Sequence, residues 1–136
     1  LVSTLVAAQP PAPGGAKAPA ASVQTLDGRP ADLSRWVGKQ PVVLEFWAHW
    51  CSSCKELEPR LIATQRKYAG RVAFVAVAVS VNQSPARVRA VTARRAVPID
   101  VVFDHAGNAT AAYDVPATSY VVAIDRTGTI VYTGQG

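Results

Sequence analysis

The sequence is short of the residues that build metal centres. It has two cysteines, two histidines and no methionine in 136 residues. A structural zinc site takes four Cys or His ligands. Here a single Cys-x-x-Cys would have to recruit both His49 and His105, and no second Cys-x-x-Cys exists. Long apolar runs are also missing. Leu1 to Ala8 is apolar but far below the about 20 residues that cross a bilayer. The basic residues lack interleaved aromatics. The densest group is Arg87, Arg89, Arg94 and Arg95, in a chain of net charge +5. It reads as a solvated helix face, so no nucleic-acid partner is expected. That charge remains compatible with acidic partners or an anionic membrane surface. There is no internal repeat, and the length suits one domain with a real core, expected to be a monomer.

What is present centres on Cys51-Ser52-Ser53-Cys54. The apolar run Val42 to Trp47 enters it and reads as a buried strand. A helical pattern leaves it, with Leu57, Leu61, Thr64 and Tyr68 on one face. Residues three apart on a helix are neighbours, so the two sulfurs can meet and close a small ring. A helix start offers unpaired N–H groups and the positive end of its dipole, which favours a thiolate at Cys51. A purely structural bridge is the weaker reading, because so short a ring does little to the unfolded chain. Strand, turn and helix together point to thiol–disulfide chemistry. Cys51 is expected to be the exposed nucleophile and Cys54 the buried resolving thiol.

Two neighbours add to this site. Glu45 lies within an apolar strand, where an unpaired charge is costly. Burial would raise its pKa and let it take a proton from Cys54 through a water. The alternative is a structural partner such as Lys39 or Lys67. Trp50 is expected to flank the sulfurs as an apolar lid, and His49 to be a solvated loop residue.

Read in order, residues 1–21 form an apolar stub followed by a Pro/Ala-rich tether, the remnant of a signal or anchor segment. Residues 22–136 form the domain. Val23 to Leu26 is a strand, Asp27-Gly28 a turn, and Asp32 to Trp36 a short helical turn. The active helix runs from about Ser52 to Ala69, with Pro59 inside it as a kink and Gly70 as its stop. Val72 to Val79 reads as a parallel strand buried on both faces. A helix follows from Ser84-Pro85 to about Arg95. Val101 to Phe103 is a strand and Asn108 to Tyr113 a short helix. Tyr120 to Ile124 and Thr129 to Thr133 make a hairpin across Asp125-Arg126-Thr127-Gly128. The class is α/β with a mixed sheet.

The segment Trp47-Ala48-His49-Trp50-Cys51-Ser52-Ser53-Cys54-Lys55 resembles the thioredoxin active-site signature. From Val23 to Tyr132 the chain is similar to the extracytoplasmic TlpA/ResA branch of thioredoxin-like proteins. The resemblance implies a thioredoxin fold, a central mixed sheet flanked by helices, with an N-terminal hairpin ahead of the core. The family closes with a further helix after the last hairpin; this sequence stops at Gly136, so one sheet face is expected to be bare or covered by the N-terminal tail or a neighbour. Glu45 matches the family's buried acid. The family also sets a cis-proline against the cysteines. Counting from Tyr113-Asp114-Val115 puts Ser119 there, with Pro116 three residues too early. Either Ser119 holds that place with a trans bond or a local shift brings in Pro116; a non-proline cis bond costs about 3 kcal/mol, which favours trans. Thr118 and Ser119 are the loop residues expected to meet a client strand.

The implied activity is thiol–disulfide exchange without a cofactor or metal, on client proteins such as apocytochromes c. Electrons would come from a membrane-bound thiol reductant, outside the cytoplasm. With Ser52-Ser53 between the cysteines, an intermediate or mildly reducing potential is expected. The alternative is a metal-binding or assembly factor using Cys51, Cys54 and His49.

Overall fold

The computed structural model describes residues 15–95 and 98–136. The expected stub and the first part of the tether, residues 1–14, lie outside the described residues. Strands β1 (Ser22–Gln24) and β2 (Pro30–Asp32) form an antiparallel hairpin, with Ser22 opposite Asp32 and Gln24 opposite Pro30. β1 ends earlier than the sequence implies because Thr25 and Leu26 are drawn into the turn. There the carbonyl of Thr25 accepts the N–H of Gly28, and Gly28 takes the left-handed φ of 85° that suits a residue without Cβ. Asp32 then caps a 3-10 turn, Leu33–Arg35, by accepting the N–H of Ser34 at 2.8 Å.

The core follows as β3 (Val42–Trp47), α1 (Ser52–Lys67), β4 (Ala73–Val79), α2 (Pro85–Arg95), β5 (Asp100–Asp104), α3 (Asn108–Ala112), β6 (Tyr120–Ile124) and β7 (Ile130–Gln135). Among the described residues seven strands form one sheet in the order β2-β1-β5-β4-β3-β6-β7. β3, β4 and β5 run parallel, while the two hairpins join antiparallel at either side. This is the mixed sheet with an N-terminal hairpin that the sequence implies. The unbroken apolar runs occupy its middle, because strands flanked on both edges and covered on both faces have no wet side. Leu44, Phe46, Val77 and Ala78 are accordingly fully buried.

Alternation along β3 assigns its side chains to opposite faces. Phe46 packs toward Tyr113, with ring centroids 5.9 Å apart. Glu45 and Trp47 turn to the other face, where they line a cavity with residues of α1 and α2. α2 reaches this face through Val88, Thr92 and Arg95, whose spacing places them on one side of the helix. The buried carboxylate of Asp104, at the end of β5, accepts the N–H groups of Ala109 and Thr110 and so anchors the start of α3.

The end of the tether makes specific contacts. Lys17 pairs with Thr129 beside the start of β7, and the hydroxyl of Tyr113 donates to the carbonyl of Pro19 at 2.8 Å. From Lys17 beside β7 the segment passes toward β1, with Ala18 and Ala21 packed against the core. A hollow of about 320 Å³ between α1 and the β6–β7 pair, lined by Val43, Leu57, Phe74, Val121 and Tyr132, stays open among the described residues. Also among them, no helix is long and apolar enough to cross a membrane.

Candidate active site

Cys51 and Cys54 are joined as a disulfide across the first turn of α1, with Cα atoms 5.3 Å apart. Cys51 is the N-cap: its backbone is extended, and its sulfur accepts the N–H of Cys54 at 3.1 Å. The hydroxyl of Ser53 lies 3.6 Å from the same sulfur. Both donors favour negative charge on Cys51 once the bond is reduced. Cys51 does not stand exposed as expected. It is 4% exposed against 1% for Cys54, because its side chain folds back over the helix end and joins the core cluster. It remains the more accessible of the two.

The turn carrying the cysteines is fastened to the end of β4. Gln83 accepts the N–H of His49 at 3.0 Å and donates to the carbonyls of Trp47, at 3.2 Å, and Val79, at 2.7 Å. Trp50 is 44% exposed and bound by its indole N–H to the carbonyl of Val81 at 2.9 Å. Its ring stands beside a groove of about 530 Å³ bounded by Val81, Thr110, Pro116 and Thr118.

Thr118 lines this groove, but Ser119 does not. Ser119 is fully buried, and this corrects its expected place among client-facing residues. Its N–H donates to the carbonyl of Phe46 at 2.8 Å and its carbonyl accepts the N–H of Gly136, so sheet pairing has consumed its backbone. Its hydroxyl has no partner among the described residues. No peptide bond among the described residues is cis, and Ser119 holds its place with φ of 68°. Pro116 lies on the exposed rim of the groove.

Glu45 is 4% exposed, and its Oε1 has no hydrogen-bond partner among the described residues. Neither Lys39 nor Lys67 forms an ion pair with it. Burial, with the charge of Glu58 adding to it, pushes its carboxyl from 4.5 up to about 7. Glu45 and Cys54 line the same cavity of about 30 Å³, roomy enough to admit a water molecule. Glu58, Thr92 and Arg95 complete its polar lining; Arg95 Nη1 donates to Glu58 Oε2 at 2.8 Å and its guanidinium lies 5.9 Å from the Trp47 ring centroid. Arg95 thus departs from the solvated face on which the sequence puts it.

Gln83, Glu58 and Arg95 are the site residues that sequence reasoning missed. Glu58 carried one signal: it is four residues after Cys54, hence on the same helix face. Gln83 and Arg95 carried none, since the partners that tie them to the site, Trp47 and His49 for Gln83 and Glu58 for Arg95, are distant in sequence. Among the described residues, no three His, Cys, Asp or Glu side chains come together in a metal-binding group.

A family model described as Redoxin matches residues 13–136. The thioredoxin-like protein YneN of Bacillus subtilis is 33% identical over 117 residues, covering 85% of this chain and 68% of that one. The thiol-disulfide oxidoreductase ResA of the same organism is 31% identical over 122 residues, covering 90% of this chain and 67% of that one. The chain therefore spans about two thirds of the length of these relatives. In three dimensions it is similar to a secreted Mycobacterium tuberculosis disulfide oxidoreductase homologous to E. coli DsbE. The TM-score is 0.72 at 26% identity, over 85% of this chain and 82% of the other.

Proposed function

The chain belongs to the redoxin family and is a thioredoxin-like thiol–disulfide oxidoreductase, and from this we propose that Cys51 and Cys54 reduce disulfides in client proteins with Glu45 as proton acceptor. The observation that carries the reading is the cavity shared by Cys54 and the unpaired Glu45, directly behind a cysteine pair at a helix N-terminus. In the reduced protein the Cys51 thiolate attacks one sulfur of the client disulfide. A mixed disulfide forms and one client thiolate leaves. Cys54 gives its proton to Glu45 through a water in the cavity, then attacks the Cys51 sulfur. The second client thiolate leaves, the Cys51–Cys54 bond closes, and two electrons have passed to the client.

Trp50, Thr118 and Pro116 supply the surface against which the client segment lies. The exposed indole gives apolar area, and the rim of the loop gives the backbone edge that Ser119 does not. The clients are extracytoplasmic, and apocytochromes c are the class favoured by the resemblance to the TlpA/ResA branch. The secreted relative supports that location. A membrane-bound thiol reductant returns the pair to its dithiol form, and the protein acts as a monomer.

The deciding experiment is insulin reduction in dithiothreitol, comparing the native chain with Cys51→Ser and Cys54→Ser. Activity is expected only in the native chain, and Cys54→Ser is expected to accumulate a mixed disulfide through Cys51. Equal turnover in Cys51→Ser would overturn the reading.

A further inference from the structure

We propose that Glu58 is the relay through which the proton received by Glu45 reaches solvent. The proposal rests on the reading of Glu45 as the proton acceptor, and it concerns what happens next. A buried carboxylate that takes a proton as the disulfide closes either returns it to Cys54 on reduction or exchanges it with solvent, and exchange needs a group that reaches both. Glu45 and Cys54 are both buried, and the cavity they share has room for a water molecule.

Each element around that cavity offers a different group. β3 contributes Glu45, α1 contributes Cys54 and Glu58, and α2 contributes Thr92 and Arg95; the lining from β4 and β5 is apolar. The Thr92 hydroxyl is already committed to the carbonyls of Val88 and Arg89. Arg95 stays protonated and has no proton to exchange. Glu58 differs from all of these. It lines the inner cavity and also an open hollow on the outer surface of α1, beside Lys55, Pro59 and Arg66. Its side chain is 22% exposed. Arg95 fixes Oε2, while Oε1 accepts no hydrogen bond among the described residues.

Glu58 is therefore a carboxylate held across the wall between the buried acid and water. The proton passes from Glu45 to the cavity water, from that water to Glu58, and from Glu58 to solvent. Nothing is oxidised or reduced in these steps. The charge of Glu58 also acts on Glu45 directly, raising its proton affinity. Arg95 keeps Glu58 in place.

The test is stopped-flow oxidation of the reduced full chain by a disulfide substrate, read as the rate at which the proton appears in solvent with a pH indicator in weak buffer, across pH and across acetate concentration. Glu58→Gln keeps the shape and the hydrogen bond to Arg95 but cannot relay. Its rate in weak buffer is expected to fall about tenfold, less than the about 10²–10⁴-fold of a group acting on the reacting atoms themselves. Acetate, a small diffusible carboxylate, is expected to restore it. The native chain and Glu58→Asp are expected to be insensitive to acetate. The midpoint of the acid limb is expected to move down in Glu58→Gln, since a charge facing Glu45 is gone. A Glu58→Gln rate equal to native in weak buffer would overturn the proposal. So would a slow rate that acetate does not restore, which would make Glu58 a structural anchor for Arg95. Glu45→Gln separates the two levels. If it too reacts at the native rate, the role of Glu45 fails; if it is slow and Glu58→Gln is not, only the relay fails.

Discussion

Trp50 donates its indole N–H to the carbonyl of Val81, and this bond fixes an exposed aromatic ring beside the cysteines. A ring held in advance loses little freedom when a client lies on it. Trp50→Ala is expected to raise KM for insulin about tenfold, the equivalent of about 1.4 kcal/mol, typical of a modest aromatic contact. Its reaction with dithiothreitol, which is too small to use the ring, is expected to stay near native. Equal losses with both substrates would mean that the ring only supports the turn.

Glu45 makes stability depend on pH. Its folded pKa is raised from 4.5 to about 7, so the folded chain binds a proton more readily than the unfolded one. The associated stability is present below pH 4.5 and is lost as pH rises through about 7. Glu45→Gln mimics the protonated form. It is expected to be more stable than native by about 2–3 kcal/mol above the window and nearly equal below it. Urea unfolding of both oxidised proteins at the two ends of the window measures the difference. Parallel pH profiles would remove the assignment.

Gln83 serves three backbone groups with one side chain. Gln83→Ala leaves the N–H of His49 and the carbonyls of Trp47 and Val79 without that partner. A loss of about 1–3 kcal/mol is expected from denaturant midpoints at unchanged slope. Gln83→Glu keeps the acceptor and loses both donors, so it should not recover native stability. An alanine variant within about 0.5 kcal/mol of native would show that water replaces the clamp.

The reduction potential should reflect the modest set of donors around Cys51. One backbone N–H and a distant Ser53 hydroxyl favour the thiolate, and no cationic side chain hydrogen-bonds to the sulfur among the described residues. Equilibration with glutathione buffers is expected to give a value between about −180 and −270 mV. A result near the about −120 mV of strong oxidants would require a thiolate stabilisation that these contacts do not supply.

The central strand was legible because its chemistry is local. Val42 to Trp47 is apolar but for Glu45, and β3 has those same bounds. The start of α1 was legible from the Cys-x-x-Cys spacing, and the burial of Glu45 from its apolar neighbours. β2 was not read from its residues, because Pro30-Ala31-Asp32 shows no alternation and gains strand geometry only by pairing with β1. Arg95 looked like its neighbours Arg87, Arg89 and Arg94; only the packing of α2 beside α1 turns it toward Glu58. The burial of Ser119 was hidden for a related reason: its bonds to Phe46 and Gly136 join segments far apart in the chain. Contacts across the sheet and between helices decided what composition and spacing could not.

The two margins of the sheet are unlike in their readiness to associate. On one side β2 is three residues long and begins with Pro30, which has no N–H to offer an incoming strand. On the other, β7 is six residues long, and, among the described residues, residues 16–18 shield its beginning alone. Beyond that point Val131 and Tyr132 face outward, 62% and 51% exposed. Self-association at high concentration would therefore proceed from the β7 side, and a charged residue in place of Val131 is the substitution that guards it.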